Sequence, residues 1–291
     1  MPGGRLLVLR RCGVVGHPVA HSLSPAMHRA AYVHLGLDWT YDAVDVAPGA
    51  LHAHVRGLDD TWRALSVTAP HKRDALALAE SADDVATLVG GANTLLLDGS
   101  VRAANTDVPG AVAALRERGI GELGTVRVLG AGATAASLAV AVRELGAERL
   151  ELVVRDADRA RETVGVAEQV GLRVGVHGFG DAEGPGETDL LVSTIPGAGL
   201  VDGLGADPGS WLDGALAVFD VVYDPWPTRV TSAAVAAGLP TVTGLDLLAH
   251  QAAEQVRLMV DGDVSAVVLR DAALEELGRR LGTAARDRST A

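Results

Sequence analysis

The chain has 291 residues, of which 48% are hydrophobic and 21% charged, and its formal net charge is −12. This length and composition predict about two domains with a buried core and exclude global disorder. The negative charge argues against nucleic acid or an acidic membrane surface as a partner. The single cysteine, Cys12, excludes a disulfide framework and a cysteine-rich metal site, and we expect no metal.

Neither a signal peptide nor a membrane span is expected. The apolar run at residues 6–9 is shorter than a signal-peptide core. A membrane helix needs about 18 consecutive apolar residues, and the sequence contains no such run. We therefore expect a cytoplasmic protein, since reducing conditions suit a lone cysteine.

The first half of the chain alternates predicted strands and helices. Short apolar runs predict strands at residues 12–15, 39–46, 64–68, 94–97 and 101–104. The last two strands flank Asp98-Gly99, which is typical of a hairpin turn. Helical spacing, with Pro25 at a first turn and glycines as stops, predicts helices at residues 25–36, 75–88 and 111–118.

The second half repeats this alternation and then becomes helical. Strands are predicted at residues 125–129, 150–154, 172–176, 189–193 and 215–222. Helices are predicted at residues 133–146, 157–170, 245–260 and 264–281, before a polar tail that we expect to fray. Strands that alternate with helices of 10–15 residues indicate βαβ units with a parallel sheet, and thus an α/β fold.

A glycine-rich turn follows the strand at residues 125–129. It reads Gly130, Ala131, Gly132, Ala133, Thr134 and Ala135, a G-x-G-x-x-A variant of the dinucleotide fingerprint. The first glycine allows the tight turn, and the second allows backbone to approach a pyrophosphate at the helix N-terminus. An ordinary glycine-rich turn is the alternative.

The end of the next strand bears on the choice between NAD and NADP. Arg155 lies at the strand exit, and Arg159 follows four residues later, so the two could clamp a ribose 2′-phosphate. Asp156 is the kind of residue that binds the ribose hydroxyls of NAD. The arginines favour NADP, with NAD as the alternative.

Three rare residues lie in polar clusters of the first half. Lys72 is the only lysine, and Asn93 and Asn105 are the only asparagines. Lys72 lies at a predicted strand-to-helix junction, a usual place for site residues. The alternatives are a surface lysine and two turn asparagines.

Two hydroxyls precede the first predicted helix. Ser22 and Ser24 occupy alternate positions of a loop, where they can hold a carboxylate next to a helix N-terminus. The alternative is that Ser24 is only the N-cap of this helix, with Pro25 at its first position.

The order of these motifs resembles the shikimate dehydrogenase family. The motifs are GxPxxHSxSP at residues 16–25, VTxPxK at 67–72, a GxxNTL-like run at 90–95, NTD at 105–107, GAGxxA at 130–135 and GLxxLxxQA at 244–252. The resemblance implies reduction of 3-dehydroshikimate to shikimate with NADPH, in the pathway to aromatic amino acids.

The resemblance also implies roles for particular residues. Lys72 and Asp107 correspond to the catalytic pair, and Ser22 and Ser24 to the ligands of the substrate carboxylate. The other correspondences are Thr68, Asn93 and Gln251 for the ring hydroxyls, Tyr223 near the substrate and Gly244 near the nicotinamide. A lysine ammonium can stabilise the developing alkoxide and protonate it, and a neighbouring carboxylate orients the lysine.

The chain departs from the family pattern at three motifs. Ser66 and Ala69 replace the usual asparagine and valine of NVTxP. The NADP motif NRTxxR reads VRDADR, which keeps Arg155 and Arg159. The GLGMLxxQA motif has become residues 244–252, GLDLLAHQA.

The resemblance implies two α/β domains and C-terminal helices. We expect a substrate-binding catalytic domain at residues 1–107 and an NADP-binding, Rossmann-type domain at 108–245. Helices at 246–291 return to the first domain, and the substrate is expected in the cleft between the domains. The oligomeric state stays open, with a homodimer as one alternative.

Two other functions remain open from the sequence. One is an NAD-preferring quinate/shikimate dehydrogenase, which activity with each acid and each cofactor would distinguish. The other is a non-catalytic, metabolite-sensing relative. The presence of both Lys72 and Asp107 argues against a sensor, which would be free to lose either.

Overall fold

The computed structural model describes residues 10–179, 186–196 and 209–289, which divide into two compact units. The first unit contains the chain up to Thr106 and from Gln251 onward, and the second contains Asp107–His250. Among these residues no helix is long and apolar enough to cross a membrane. In the same ranges no three His, Cys, Asp or Glu side chains are grouped so that they could hold a metal ion.

The first unit is built on a mixed six-stranded sheet. Its strands are β1 Arg10–Gly16, β2 Trp39–Asp45, β3 Trp62–Val67, β4 Ser81–Ala82, β5 Thr94–Leu97 and β6 Val101–Ala104. They lie in the order β2-β1-β3-β5-β6-β4. β1 is parallel to β2 and β3, whereas β5 is antiparallel to β3 and β6. This reversal places the start of β5 beside the carboxyl ends of β3 and β6.

Helices pack against this sheet and bury an aliphatic core. They include α1 Ser24–His34, α2 Leu51–Arg56, α3 Lys72–Leu78 and α4 Asp84–Val89. The core contains Val15, Leu51, Leu65 and Leu95, which are fully buried. Burial of each such side chain stabilises the fold by about 1.5–3 kcal/mol.

The second unit has the strand order of a Rossmann-type domain. Its strands are β7 Thr125–Leu129, β8 Arg149–Val154, β9 Arg173–Gly178, β10 Leu190–Ser193, β11 Val218–Asp220 and β12 Thr241–Thr243. All neighbouring pairs are parallel, in the order β12-β11-β10-β7-β8-β9. Counted from the first strand of the unit this is 3-2-1-4-5-6, the doubly wound order that binds dinucleotides where the order reverses.

The remaining helices follow these strands or close the chain. They are α5 Asp107–Glu117, α6 Ala133–Glu144, α7 Arg161–Gln169, α8 Gly209–Leu212, α9 Arg229–Ala236, α10 Gly244–Val260 and α11 Ala266–Ser289. A 3₁₀ turn, Ala157–Ala160, precedes α7. Residues of α10 up to His250 belong to the second unit, and those from Gln251 belong to the first.

The single helix predicted at residues 75–88 is wrong. The structure has α3 and α4 there, separated by β4, which pairs with β6. Asp83 caps α4, because its carboxylate accepts a hydrogen bond from the Ala86 N–H at 2.6 Å. The polar residues between the helices thus form a strand and a cap.

Other predicted boundaries also need correction. Helix α5 begins at Asp107 rather than at residue 111, and Pro109 lies in its first turn, where the missing N–H costs no helical hydrogen bond. The strand predicted at 215–222 is reduced to β11, and the tail expected to fray is helical through Ser289. The short elements α2, α9 and β12 were not predicted, because so few residues show no clear period.

Candidate active site

The two asparagines of the first unit lie where β3, β5 and β6 meet. Thr94, the first residue of β5, pairs with both Ser66 of β3 and Ala104 of β6. Asn93 and Asn105 are next to these paired positions, so the antiparallel register places both asparagines at one edge of the sheet. Both side chains are buried, which argues against exposed turn residues.

Lys72 is the first residue of α3 and is held through its backbone. Its carbonyl oxygen accepts a hydrogen bond from the Ala92 N–H at 2.8 Å, which ties the start of α3 to the residue before Asn93. The preceding His71 is fully buried, and its Nε2 lies 2.7 Å from the Val46 carbonyl oxygen. These contacts fix the backbone from which the half-buried lysine extends.

Asn93 is the centre of a buried hydrogen-bond cluster. Its Nδ2 donates to Thr106 Oγ1 at 2.9 Å and to Gln251 Oε1 at 3.1 Å. Its Oδ1 accepts from the Thr106 N–H and from the Thr94 hydroxyl, each at 2.9 Å. The amide therefore has one defined orientation. The structure brings the predicted ligands Asn93 and Gln251 together, although 158 positions separate them.

The NTD motif is anchored from both sides. Asn105 Nδ2 donates to the Gly91 carbonyl oxygen at 2.9 Å, and the Asn105 N–H donates to Asp83 Oδ2 at 3.2 Å. The chain then enters the second unit at Asp107, a buried residue in the first turn of α5. A carboxylate there is favoured by the positive end of the helix dipole.

The alternative in which Ser24 is only the N-cap of α1 is wrong. Helix α1 begins one residue earlier than that reading requires, with Leu23 as its N-cap and no side-chain cap bond. The Ser22 hydroxyl instead accepts the Ser24 N–H at 3.3 Å. Arg280, which the sequence reading missed, holds this loop, because its guanidinium donates to the carbonyl oxygens of His21 and Ser22 at 2.9 and 3.0 Å.

The serines can be tested as carboxylate ligands. We expect Ser22→Ala/Ser24→Ala to raise KM for shikimate with a smaller change in kcat, since each hydrogen bond to a charged group is worth about 1.5–3 kcal/mol. Steady-state kinetics and thermal melting check this. An unchanged KM with a lowered Tm would mean that the hydroxyls only shape the loop.

Thr68 follows β3 and packs against the glycine of the first motif. Its N–H donates to the Val15 carbonyl oxygen at 2.9 Å. A Cβ at Gly16 would lie 2.4 Å from Thr68 Cγ2, so only glycine allows the two backbones to approach this closely. This contact sets the position of the half-exposed Thr68 hydroxyl, a predicted ligand.

The glycine-rich turn of the second unit joins β7 to α6. Gly130 has a φ of +103°, and a Cβ there would lie 2.4 Å from Thr194 Oγ1. Gly132 is the N-cap of α6 and has no side-chain cap. A Cβ at Gly132 would meet no described atom within 4 Å, so protein packing does not require this glycine. Thr163, missed in the sequence, donates its hydroxyl to the Ala131 carbonyl oxygen at 3.0 Å.

The two glycines predict different mutant behaviour. We expect Gly130→Ala to lower Tm, because it combines a left-handed φ with a steric clash, a cost of about 1–3 kcal/mol. Gly132→Ala should have a Tm near that of the wild type. It should still raise KM for NADP, because the added methyl group would obstruct a phosphate. Thermal melting and cofactor titration check both. Equal Tm losses would show that both glycines serve the fold alone.

The predicted clamp lies at the end of β8. Arg155, Asp156 and Arg159 are exposed. The Asp156 carboxylate accepts the Asp158 N–H at 3.0 Å and caps the 3₁₀ turn, while its backbone oxygen accepts the Arg159 N–H at 3.3 Å. Asp156 thus has a capping role that does not depend on a ribose.

Tyr223 lies just beyond β11, on a segment that Asp220 anchors. The buried Asp220 carboxylate accepts hydrogen bonds from the hydroxyls of Thr228 and Thr231, and burial raises its pKa. A Cβ at Gly244 would lie 2.4 Å from the Val221 carbonyl oxygen, so glycine permits close contact between α10 and this segment. The predicted residues Tyr223 and Gly244 therefore share one neighbourhood.

Comparisons with known proteins agree over most of the chain. A family model for the shikimate dehydrogenase substrate binding domain matches residues 14–95. A Rubrobacter xylanophilus protein named shikimate dehydrogenase (NADP(+)) is 40% identical over 267 residues, which are 88% of this chain and 93% of that protein.

Solved structures agree as well. Shikimate dehydrogenase from Mycobacterium tuberculosis has a TM-score of 0.81 at 34% identity, covering 91% of this chain and 99% of its own. The Thermus thermophilus enzyme in complex with NADP(H) and shikimate has a TM-score of 0.80 at 35% identity, with coverage of 91% and 99%. These matches confirm the predicted fold class of two α/β domains.

Proposed function

The chain belongs to the shikimate dehydrogenase family, and we propose that it interconverts 3-dehydroshikimate and shikimate with NADPH and NADP in the pathway to aromatic amino acids. The observation that carries this proposal is the buried cluster around Asn93. It joins Gln251 to Asn93, and the preceding residue, Ala92, donates its N–H to the Lys72 carbonyl oxygen, so that motifs far apart in the sequence meet in one place.

The glycine-rich turn fits a dinucleotide. Gly130 makes the left-handed turn, and Gly132 leaves the backbone N–H groups at the start of α6 unshielded by any side chain of its own. The first N–H groups of a helix have no partners within the helix, and the helix dipole favours a pyrophosphate there. Bound NADPH would supply the hydride for ketone reduction.

Lys72 and Asp107 are proposed as the catalytic pair. Reduction of a ketone places negative charge on its oxygen, which the Lys72 ammonium would stabilise through a charge-assisted hydrogen bond. Lys72 would then give a proton to this oxygen, and in the reverse direction take it back. The Asp107 carboxylate would orient the ammonium.

The other polar residues are proposed to orient the substrate. Hydroxyl groups of Ser22 and Ser24 suit the carboxylate, and the amides of Asn93 and Gln251, with Thr68, suit the ring hydroxyls. Tyr223 is proposed to lie near the substrate and Gly244 near the nicotinamide. Shikimate, with one carboxylate and three hydroxyls, requires such a set of donors and acceptors.

One set of assays tests the function. Initial rates are measured with shikimate and with quinate, each with NADP and with NAD. We expect the highest kcat/KM for shikimate with NADP. Comparable rates with quinate and NAD would favour a quinate/shikimate dehydrogenase, and no turnover with any pair would favour a non-catalytic sensor.

We also propose a cytoplasmic location and leave a homodimer as an alternative to the monomer. The lone, buried Cys12 supports a reducing compartment. Fractionation of the native cells tests the location. Light scattering of the purified protein tests the oligomeric state.

A further inference from the structure

A continuous chain of buried hydrogen bonds runs from β2 to Asn93 through Gln255. Tyr41 donates its hydroxyl proton to Ser66 Oγ at 2.5 Å, and Ser66 donates to Gln255 Oε1 at 2.8 Å. Gln255 Nε2 donates to the Asn93 carbonyl oxygen at 2.9 Å and to Thr94 Oγ1 at 3.0 Å. Gln255 is 1% exposed and lies one helical turn after Gln251 on α10.

The available protons and acceptors determine which group donates in each of these hydrogen bonds. The Asn93 carbonyl oxygen can only accept a hydrogen bond, so Nε2 of Gln255 faces β5 and Oε1 accepts the single proton of the Ser66 hydroxyl. Both Nε2 protons are then used on Asn93 and Thr94. The Thr94 hydroxyl, already an acceptor, directs its own proton to Asn93 Oδ1. The Gln255 amide thus supports both the backbone and the side chain of Asn93.

This arrangement includes a residue at which the chain departs from the family pattern. Ser66 occupies the position where the NVTxP pattern has asparagine, and a serine side chain carries no amide. Gln255, on α10, places an amide between Ser66 and Thr94. Its carboxamide bridges the end of β3 to the start of β5.

We propose that Gln255 is a positioning residue for substrate binding: by holding Asn93 and Thr94, it keeps the Asn93 amide in the position at which the hydroxyl groups of shikimate are proposed to bind. The inference rests on the proposed function, because it assumes that shikimate binds at Asn93. Gln255 itself acts through Asn93, and its effect is on affinity for the acid substrate.

The test replaces the amide without shortening the side chain. Gln255→Met keeps an unbranched side chain and removes both the donor and the acceptor. We expect KM for shikimate, and Kd for shikimate measured by calorimetry without nucleotide, to rise about tenfold, with kcat changed less and KM for NADP within about twofold. If this variant fails to fold, Thr94→Val removes the next link and should give the same rise.

A core variant separates positioning from loss of stability. Leu51→Val removes a methylene group from the core of the first unit and should lower Tm. Leu51 takes no part in the hydrogen bonds of Gln255, so this variant should leave KM for shikimate near the wild-type value. A Gln255→Met KM within about twofold of wild type, or an equal rise in Leu51→Val, overturns the inference. A wild-type protein that neither binds nor oxidises shikimate overturns the proposed function and the inference with it.

Discussion

Lys72→Ala is expected to lower kcat for shikimate oxidation by about 10²–10⁴-fold, the range for loss of one proton-transfer group. The variant also loses the cation that would stabilise the substrate oxygen. Binding of NADP should stay within a few-fold of wild type, because the glycine-rich turn belongs to the other unit. Stopped-flow or steady-state absorbance of NADPH measures the rate, and fluorescence titration measures the binding.

The neighbouring Arg73 offers a matched control. Arg73→Ala removes a positive charge from the next position of α3, where the side chain is exposed. We expect it to retain most of the wild-type kcat. Near-normal turnover by Lys72→Ala, or an equal loss in Arg73→Ala, would remove Lys72 from the chemistry.

Asp107→Asn should lower kcat in the same direction but less severely. The substitution keeps the size of the side chain and removes the charge that would orient the ammonium, while Lys72 itself remains. The pH–rate profile of the variant, compared with wild type, reports whether the group paired with Lys72 has been lost. A wild-type rate and profile would show that Asp107 has no part in proton transfer.

The second large effect is expected on the cofactor preference. Arg155→Ala and Arg159→Ala should each lower kcat/KM for NADP by about tenfold or more and change kcat/KM for NAD little, because only NADP carries the 2′-phosphate that the guanidinium groups would bind. The double variant should lose most of the preference. Steady-state kinetics with both cofactors check this.

Two further variants control for charge and for local structure. Arg161→Ala removes a nearby exposed arginine that pairs with Asp158 at 2.7 Å, and it should keep the NADP preference. Asp156→Asn keeps an oxygen that can cap the 3₁₀ turn, removes the negative charge and should increase the preference. A wild type that favours NAD and tolerates loss of Arg155 would contradict the clamp.

The sequence predicted the nucleotide unit more fully than the substrate unit. The run from β7 through Gly130 to α6 is continuous in sequence. Local backbone geometry, such as the φ of +103° at Gly130, explains why a glycine is needed there. The break between α3 and α4 was missed because it depends on β4 pairing with β6 about 20 residues later, and a local pattern does not contain this partner.

The candidate site shows the same division. Lys72, Asn93 and Asn105 were identified as site residues because they are the only residues of their types. Gln255 and Arg280 were missed because their partners lie 162 and 258 positions away in sequence, and a buried glutamine on a helix has no local signal. The order of the motifs indicated the candidate site residues but not the hydrogen-bond partners that position them.

The first unit is assembled from two stretches of chain, and this has a consequence for biosynthesis. Ribosomes add residues 107–250 before Gln251 and Gln255, and N-terminal segments of a nascent chain generally fold first. During that interval Asn93 has Thr106 as a partner and lacks both glutamines. A ribosome-bound chain that ends before Gln251 therefore carries the strands of the substrate unit without the amides that complete its cluster. Affinity for the acid substrate should arise late in translation, after the whole nucleotide unit has been made.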